Sequence, residues 1–254
     1  MSKVLGAQLY TVREFSKTPK DIEQTLKKVR EMGYTTVQAS GLGQIEPQEL
    51  RAIADANGLK IVITHTPYDR FVNDLDGVIE DHHTLGCGIA GLGALPDVNR
   101  KSGEGYASFA KQFGAIADEL GKNGLKFSYH NHRFEFEKFG GKTGLEIIAE
   151  NTNPQNFLFT LDTFWVQAGG ADPAEWIKKL RRRIEAIHFK DMIIVEDKQL
   201  MGEIMEGNLN WDSIFAACED AGVKWYLVER DDGPTAAFES LEISYNNLKK
   251  VGFK

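Results

Sequence analysis

Three observations predict a single-domain α/β protein folded as a (β/α)8 TIM barrel. Eight short apolar runs of strand character alternate with helical patterns along the chain. One phrase, a polar helix end followed by Gly and an apolar run, recurs as REMGYTTVQAS, ADANGLKIVITH, LGKNGLKFSYH and CEDAGVKWYLVE. The length, 254 residues, suits eight such units. Strand–helix alternation implies parallel strands joined by right-handed crossovers. The alternative, a doubly wound open sheet, would usually carry a Gly-rich phosphate turn after its first strand. QLYTVRE has none, and GIAGLGALPD has its glycines in the wrong order and before no clear helix. No Pro- or Ser-rich stretch divides the chain, so residues 1–254 are read as one domain.

The elements follow in order. The first strand is expected at Val4–Leu9. Thr18 can cap the next helix and Pro19 suits its first turn, with Ile22, Leu26 and Val29 on one face. Gly33 ends it, because Gly takes the left-handed conformation without a Cβ penalty, and Thr35–Ala39 is the second strand. Pro47 opens a helix with Leu50, Ile53 and Ala54 inward; Gly58 then leads to the third strand, Lys60–Thr64. His82 and His83 fall on a helical segment before the fourth strand, Ile89–Leu92. Tyr106, Phe109, Phe113, Ile116 and Leu120 form one helical stripe, and Gly124 leads to the fifth strand, Leu125–His130. The helices after the fifth strand and the sixth, Phe157–Asp162, look short; Asp172 and Pro173 start one carrying Trp176, Ile177 and Leu180. After the seventh strand, Ala186–Lys190, residues 191–209 are the longest irregular segment. Asn210 can cap a helix with Ile214, Phe215 and Cys218 inward, and Gly222 precedes the eighth strand, Trp225–Glu229. Phe238, Leu241, Tyr245 and Leu248 mark the last helix.

The net charge of −7 argues against a nucleic-acid partner, since phosphate-backbone binding needs clustered Lys and Arg. The one basic run, Arg181–Arg183, reads as a solvated helix end. Cys87 and Cys218 are too few for a disulfide framework and read as small buried hydrophobes in a reducing compartment. No run approaches the ~20 apolar residues of a membrane helix, and MSKVLGAQLY enters a strand pattern without a signal-peptide core. A cytoplasmic protein without membrane partners is expected; a homo-oligomer is compatible with the sequence.

Strand side chains alternate between two sides. In KFSYH, Phe127 and Tyr129 suit the helix side, which turns Ser128 and His130 inward. The same parity turns Asp162, His188, Lys190 and Glu229 inward at the C-terminal ends of the next three strands, and Gln8 and His65 inward on strands one and three. Active sites of this barrel lie at that mouth. Two imidazoles and two carboxylates converging there form a divalent-metal set: His130, Asp162, His188 and Glu229. Each alone could be a hydrogen-bonded core group, but two buried carboxylates without a partner would cost several kcal/mol. Mixed N/O ligation suits one Mn, Co, Fe or Zn ion better than Mg or Ca.

The segments GAQLYTVRE, YHNHRFEF, LDTFWVQAGGADP, IHFKDM and YLVERDD resemble, over essentially the whole chain and in the same order, the sugar phosphate isomerase/epimerase family of xylose-isomerase-like TIM barrels. The resemblance implies one divalent cation held by Glu, Asp, His and Glu on strands five to eight. Asp162, His188 and Glu229 match the last three. His130 stands where the first Glu is usual, the family's Glu-Asn-His reading here His130-Asn131-His132. GEIMEGNLNW resembles the family's VGEGNLDW-type loop, with Met205 where Gly is common.

The implied chemistry is proton abstraction next to a carbonyl of a sugar or cyclitol, through an enediolate. Glu229 is expected to be ligand and base, with Glu135 or His132 as partner acid/base. Gln8, His65, Trp165 and Lys190 are expected to contact substrate; Tyr10 and Arg13 lie nearby. The primary expectation is an isomerase or epimerase. A lyase or hydratase acting by β-elimination on a 3-keto-glycoside or keto-inositol uses the same parts. An apurinic-site endonuclease and a non-catalytic sugar-binding barrel are the readings from other classes.

Overall fold

Eight parallel strands form one sheet in this computed structural model, which describes residues 3–254 and so omits the first two residues of MSKVLGAQLY. They are β1 (Val4–Gln8), β2 (Thr36–Ala39), β3 (Lys60–Thr64), β4 (Ile89–Leu92), β5 (Lys126–His130), β6 (Phe157–Asp162), β7 (Ala186–Phe189) and β8 (Trp225–Val228). The spatial order is β3-β2-β1-β8-β7-β6-β5-β4. The last gap is spanned where Thr66 N–H donates to Gly91 O at 2.8 Å. The barrel is thus nearly closed, and every strand lies within one residue of its expected bounds.

Local sequence explains the helices. Thr18 accepts from Asp21 N–H, Asp21 answers with its carboxylate, and Pro19 opens the first turn. Asp172 and Asn210 cap as expected. Gly33, Gly58, Gly124 and Gly222 all take positive φ at the entry to the next strand. Phe109, Phe113, Phe127, Phe157 and Phe159 pack in the layer between sheet and helices, beside Tyr129. Inside the barrel sits a small cluster of Val62, Ile63, Ile89, Ala186 and Leu227. Two consecutive residues, Val62 and Ile63, join it because the β2–β3 register shifts between Val37 and Gln38. That shift aims His65 into the mouth while Thr64 turns outward to His82 Nε2, 2.9 Å away. Both cysteines are free and buried, and no helix among the described residues is long and apolar enough to cross a membrane.

Two expectations are corrected. Residues 191–209 are not irregular throughout: Asp191–Val195 pairs antiparallel with Lys198–Gly202. Its turn residues Glu196 and Asp197 both have positive φ, which suits a tight two-residue hairpin. The following loop winds around the Asp191 carboxylate, which accepts from the backbone N–H groups of Met192, Met205, Gly207 and Leu209 and from Trp211 Nε1–H. A Cβ at Gly207 would lie 2.5 Å from Asp191 Oδ1, so only Gly fits. The second correction concerns Arg183, which is not a solvated helix end. It is buried and donates to Phe157 O, Ala149 O and Thr152 Oγ1.

Candidate metal centre and active site

Parity delivers four donors to one point. One ligand atom each from His130, Asp162, His188 and Glu229 lies within 4.8 Å of the others, and all four residues are buried. His130 closes β5, Asp162 closes β6, His188 lies on β7 and Glu229 follows β8 directly. Their orientations are set by second partners. His130 Nδ1–H donates to Gly93 O at 2.9 Å, which turns the Nε2 lone pair toward Asp162 Oδ2, 3.3 Å away. His188 Nε2–H donates to Gln38 Oε1 at 2.6 Å, and Gln38 is oriented by donating to Thr64 O. The His188 Nδ1 lone pair therefore faces Glu229 Oε2. Asp162 Oδ1 accepts Trp165 N–H, capping the short helix Thr163–Ala168, and Asp162 N–H donates to Asn131 Oδ1. Glu229 Oε1 accepts from Gln8 Nε2 at 2.8 Å.

This arrangement fits a divalent cation. His188 Nδ1 and Glu229 Oε2 are buried and lie 2.9 Å apart, with no other acceptor offered to the ring nitrogen. Two neutral imidazoles and two carboxylates present a net charge of −2. A ring N–H fixed by a second partner, with the lone pair directed at a shared point, is the usual construction of a ligating His. Neutral His130 also fits: burial lowers its basicity despite Asp162. His188 differs. Burial opposes its charge, but Glu229 and Asp162 push it up to about 9, so a proton competes with a cation for Nδ1. Burial likewise opposes ionisation of Asp162 and Glu229, yet Lys190 outweighs it and holds both well below the usual carboxylate range.

Lys190 is fully buried. Its Nζ lies 3.0 Å from Glu229 Oε2, 3.1 Å from Asp162 Oδ2 and 3.1 Å from both oxygens of Asp231. Burial works against its charge, but the three carboxylates raise its pKa. Asp231 is pushed up to about 7 by burial and by Glu229, against the pull of Lys190.

The mouth is a cavity of about 440 Å³ lined by His65, His130, His132, Lys190, Glu229 and Asp231 among others, with Tyr10 and Ser40 at its side. His65 Nδ1 meets Ser40 Oγ at 3.1 Å, and its buried Nε2 has no partner. Burial, with His130 and His188 nearby, keeps His65 neutral. His132 stacks on Phe134 and is held down to about 3 by burial and by His130. Trp165, expected at the substrate, is not in the cavity wall; it lies 5.4 Å from the His132 ring and 5.5 Å from Lys190 Nζ.

Two expected roles change. Glu135 does not line the mouth. It is fully buried behind the strand, accepting from Tyr129 OH at 2.5 Å and His132 N–H at 2.8 Å. Tyr129 is a helix-side residue, so this carboxylate faces away from the metal donors. Gln8 is not in the cavity wall; it holds Glu229 and accepts Tyr10 N–H. Arg13 stacks on Tyr10 and lies 3.8 Å from Glu14. Gln38 and Asp231 also belong to the site. Strand alternation carries a signal for each: Gln38 shares parity with Thr36, and Asp231 follows Glu229 by two.

Residues 26–247 match the family model described as xylose isomerase-like TIM barrel. An inosose dehydratase of Lacticaseibacillus casei is 21% identical over 258 residues, covering 85% of this chain and 84% of that protein. Among solved structures, a sugar phosphate isomerase/epimerase from Parabacteroides distasonis superposes with a TM-score of 0.84 at 24% identity, covering 100% of this chain and 96% of the other. The probable 3-DHS dehydratase of petrobactin synthesis from Bacillus anthracis gives a TM-score of 0.72 at 15% identity, covering 97% of this chain and 98% of the other. The match over most of the barrel agrees with the strand order and the mouth described above: the chain belongs to the xylose isomerase-like TIM-barrel family.

Proposed function

We propose that this protein is a divalent-metal-dependent enzyme that removes the proton next to the carbonyl of a keto sugar or keto-cyclitol and then eliminates the β-oxygen substituent. The observation that carries this reading is Glu229 at the cavity wall, its Oε2 buried 2.9 Å from His188 Nδ1 and 3.0 Å from the Lys190 ammonium. His130, Asp162, His188 and Glu229 would hold the ion, with Mn, Co, Fe or Zn suiting the N/O set better than Mg. When bound, it would supply Lewis acidity to neighbouring substrate oxygens.

The chain's own groups do the rest. Glu229 accepts the proton α to the carbonyl, leaving an enediolate. Lys190 provides a fixed positive charge near the oxygen where negative charge develops. With Ser40 donating to Nδ1, His65 carries its proton on Nε2 and donates to a second substrate oxygen. The enediolate then re-forms the carbonyl as the β C–O bond breaks, and Asp231, on the wall beside Lys190, hands a proton to the departing oxygen. The proton taken by Glu229 returns to Asp231 or to solvent, so the step is redox-neutral and needs no co-reactant. His132, neutral and packed between His130 and Trp165, forms the substrate's other contact face.

His130 favours elimination over epimerisation. Inverting a centre requires a second base on the opposite face, and strand five offers an imidazole already tied to Gly93 O where the family usually carries a carboxylate. The dehydratase similar to this chain agrees in reaction type by its name. Epimerisation with His132 returning the proton is the second reading, supported by His132 lining the same cavity. The deciding experiment is proton NMR in D2O with Mn-loaded protein and a methyl 3-keto-glucoside. Release of methanol with loss of the C2 proton is expected. Deuterium entering C2 without methanol would replace elimination by epimerisation.

A further inference from the structure

A second chamber, about 530 Å³ and so larger than the mouth, lies between the Ser40–Glu46 loop, the helices Pro47–Ala56 and Leu75–Leu85, and the end of β3. It shares Ser40, Gly41, His65, Thr66 and Pro67 with the mouth cavity. Each volume alone falls in the ~300–1,000 Å³ range of a small-ligand site.

The lining tells what it would take. Leu42, Ile45, Leu50, Val78 and Leu85 supply apolar wall. The buried polar groups there are already committed. His82 bonds Thr64 Oγ1 at 2.9 Å and Val78 O at 2.6 Å. Arg70 is held by Asp74 at 2.8 Å and Asp81 at 3.0 Å. A polar ligand would find only Gln44, at the exposed rim, whereas a ring with an apolar face would lose little. The free polar atom is at the shared wall, where His65 Nε2 is buried and unpartnered.

We infer that this side chamber binds the leaving group of the substrate, an aromatic or alicyclic alcohol, while the keto ring occupies the mouth. His65 then lies at the junction, where its Nε2–H can reach the bridging oxygen. The inference rests on the elimination reading of the mouth and assigns that reaction a glycoside rather than a free monosaccharide.

The test uses the full chain loaded with Mn. The kcat/KM for 4-nitrophenyl 3-keto-glucoside is compared with that for the methyl 3-keto-glucoside, and 4-nitrophenol binding is followed by saturation-transfer NMR. Leu42→Trp and Ile45→Trp each fill the chamber from a half-buried loop position, and thermal melts confirm that both fold. The aryl-over-methyl preference is expected to fall about tenfold or more in both variants, and the 4-nitrophenol signal to disappear. An unchanged preference in two folded variants overturns the inference. If neither glycoside is cleaved, the elimination reading fails. The chamber is then judged by 4-nitrophenol alone: binding abolished by both variants supports it, and no binding, or binding that both variants leave intact, overturns it.

Discussion

His188 Nδ1 and Glu229 Oε2 lie 2.9 Å apart, both buried, with Lys190 Nζ 3.0 Å from the same carboxylate oxygen. With the Nε2–H of His188 committed to Gln38, two lone pairs face each other. Only a proton or a cation between them makes this stable. Chelation should therefore lower thermal stability, and Mn or Zn should restore it, by about 2.7 kcal/mol at a hundredfold excess over Kd. Mg should restore less. His188→Ala should abolish the metal response. Differential scanning calorimetry with elemental analysis checks both.

Lys190 Nζ lies within 3.1 Å of carboxylate oxygens of Asp162, Glu229 and Asp231. Removing one partner of a buried ion pair leaves charge without compensation and costs about 3–5 kcal/mol. Lys190→Met should lose stability on that scale in metal-free protein. Adding Asp231→Asn should recover part of it, because one of the three carboxylates is then neutral. Urea denaturation of the single and double variants gives the comparison.

Glu135 contributes to the pH dependence of stability rather than to the chemistry. Burial pushes its carboxyl up from 4.5 to about 7, although Tyr129 and the backbone favour the ionised form. The folded state then binds more protons than the unfolded state between these values. Its contribution is fully present below about pH 4.5, falls as pH rises to about 7 and is lost above, about 3 kcal/mol in all. Glu135→Gln removes the titrating group, keeps an acceptor for His132 N–H and turns its amide donor on the Tyr129 oxygen, and should flatten this slope. Denaturation curves from pH 4.5 to 8 test it.

Met205 has φ 70° and a half-exposed side chain. A left-handed non-Gly residue is strained by about 1–2 kcal/mol, and Gly recovers this less its greater unfolded-state entropy. Met205→Gly should stabilise the protein by about 0.5–1 kcal/mol, read as a higher Tm. The hydrogen bond to Asp191 Oδ2 uses only the backbone N–H of residue 205 and stays.

The barrel and its donor set were readable from the chain because both depend on short-range periodicity. Alternation with period two assigns His130, Asp162, His188 and Glu229 to one side, and a Gly after each of four helices marks where the next strand begins. Tertiary structure alone decided how those donors are held and which neighbours join them. Gln8 meets Glu229 across 221 positions and Gln38 meets His188 across 150. No spacing rule encodes such pairs; they exist because barrel closure brings β1 beside β8 and β2 across the mouth from β7. Glu135 shows the same limit: it lies six residues from Tyr129, yet only the fold of the 3-10 turn Phe134–Phe136 decides that its carboxylate bonds a helix-side phenol and turns away from the mouth.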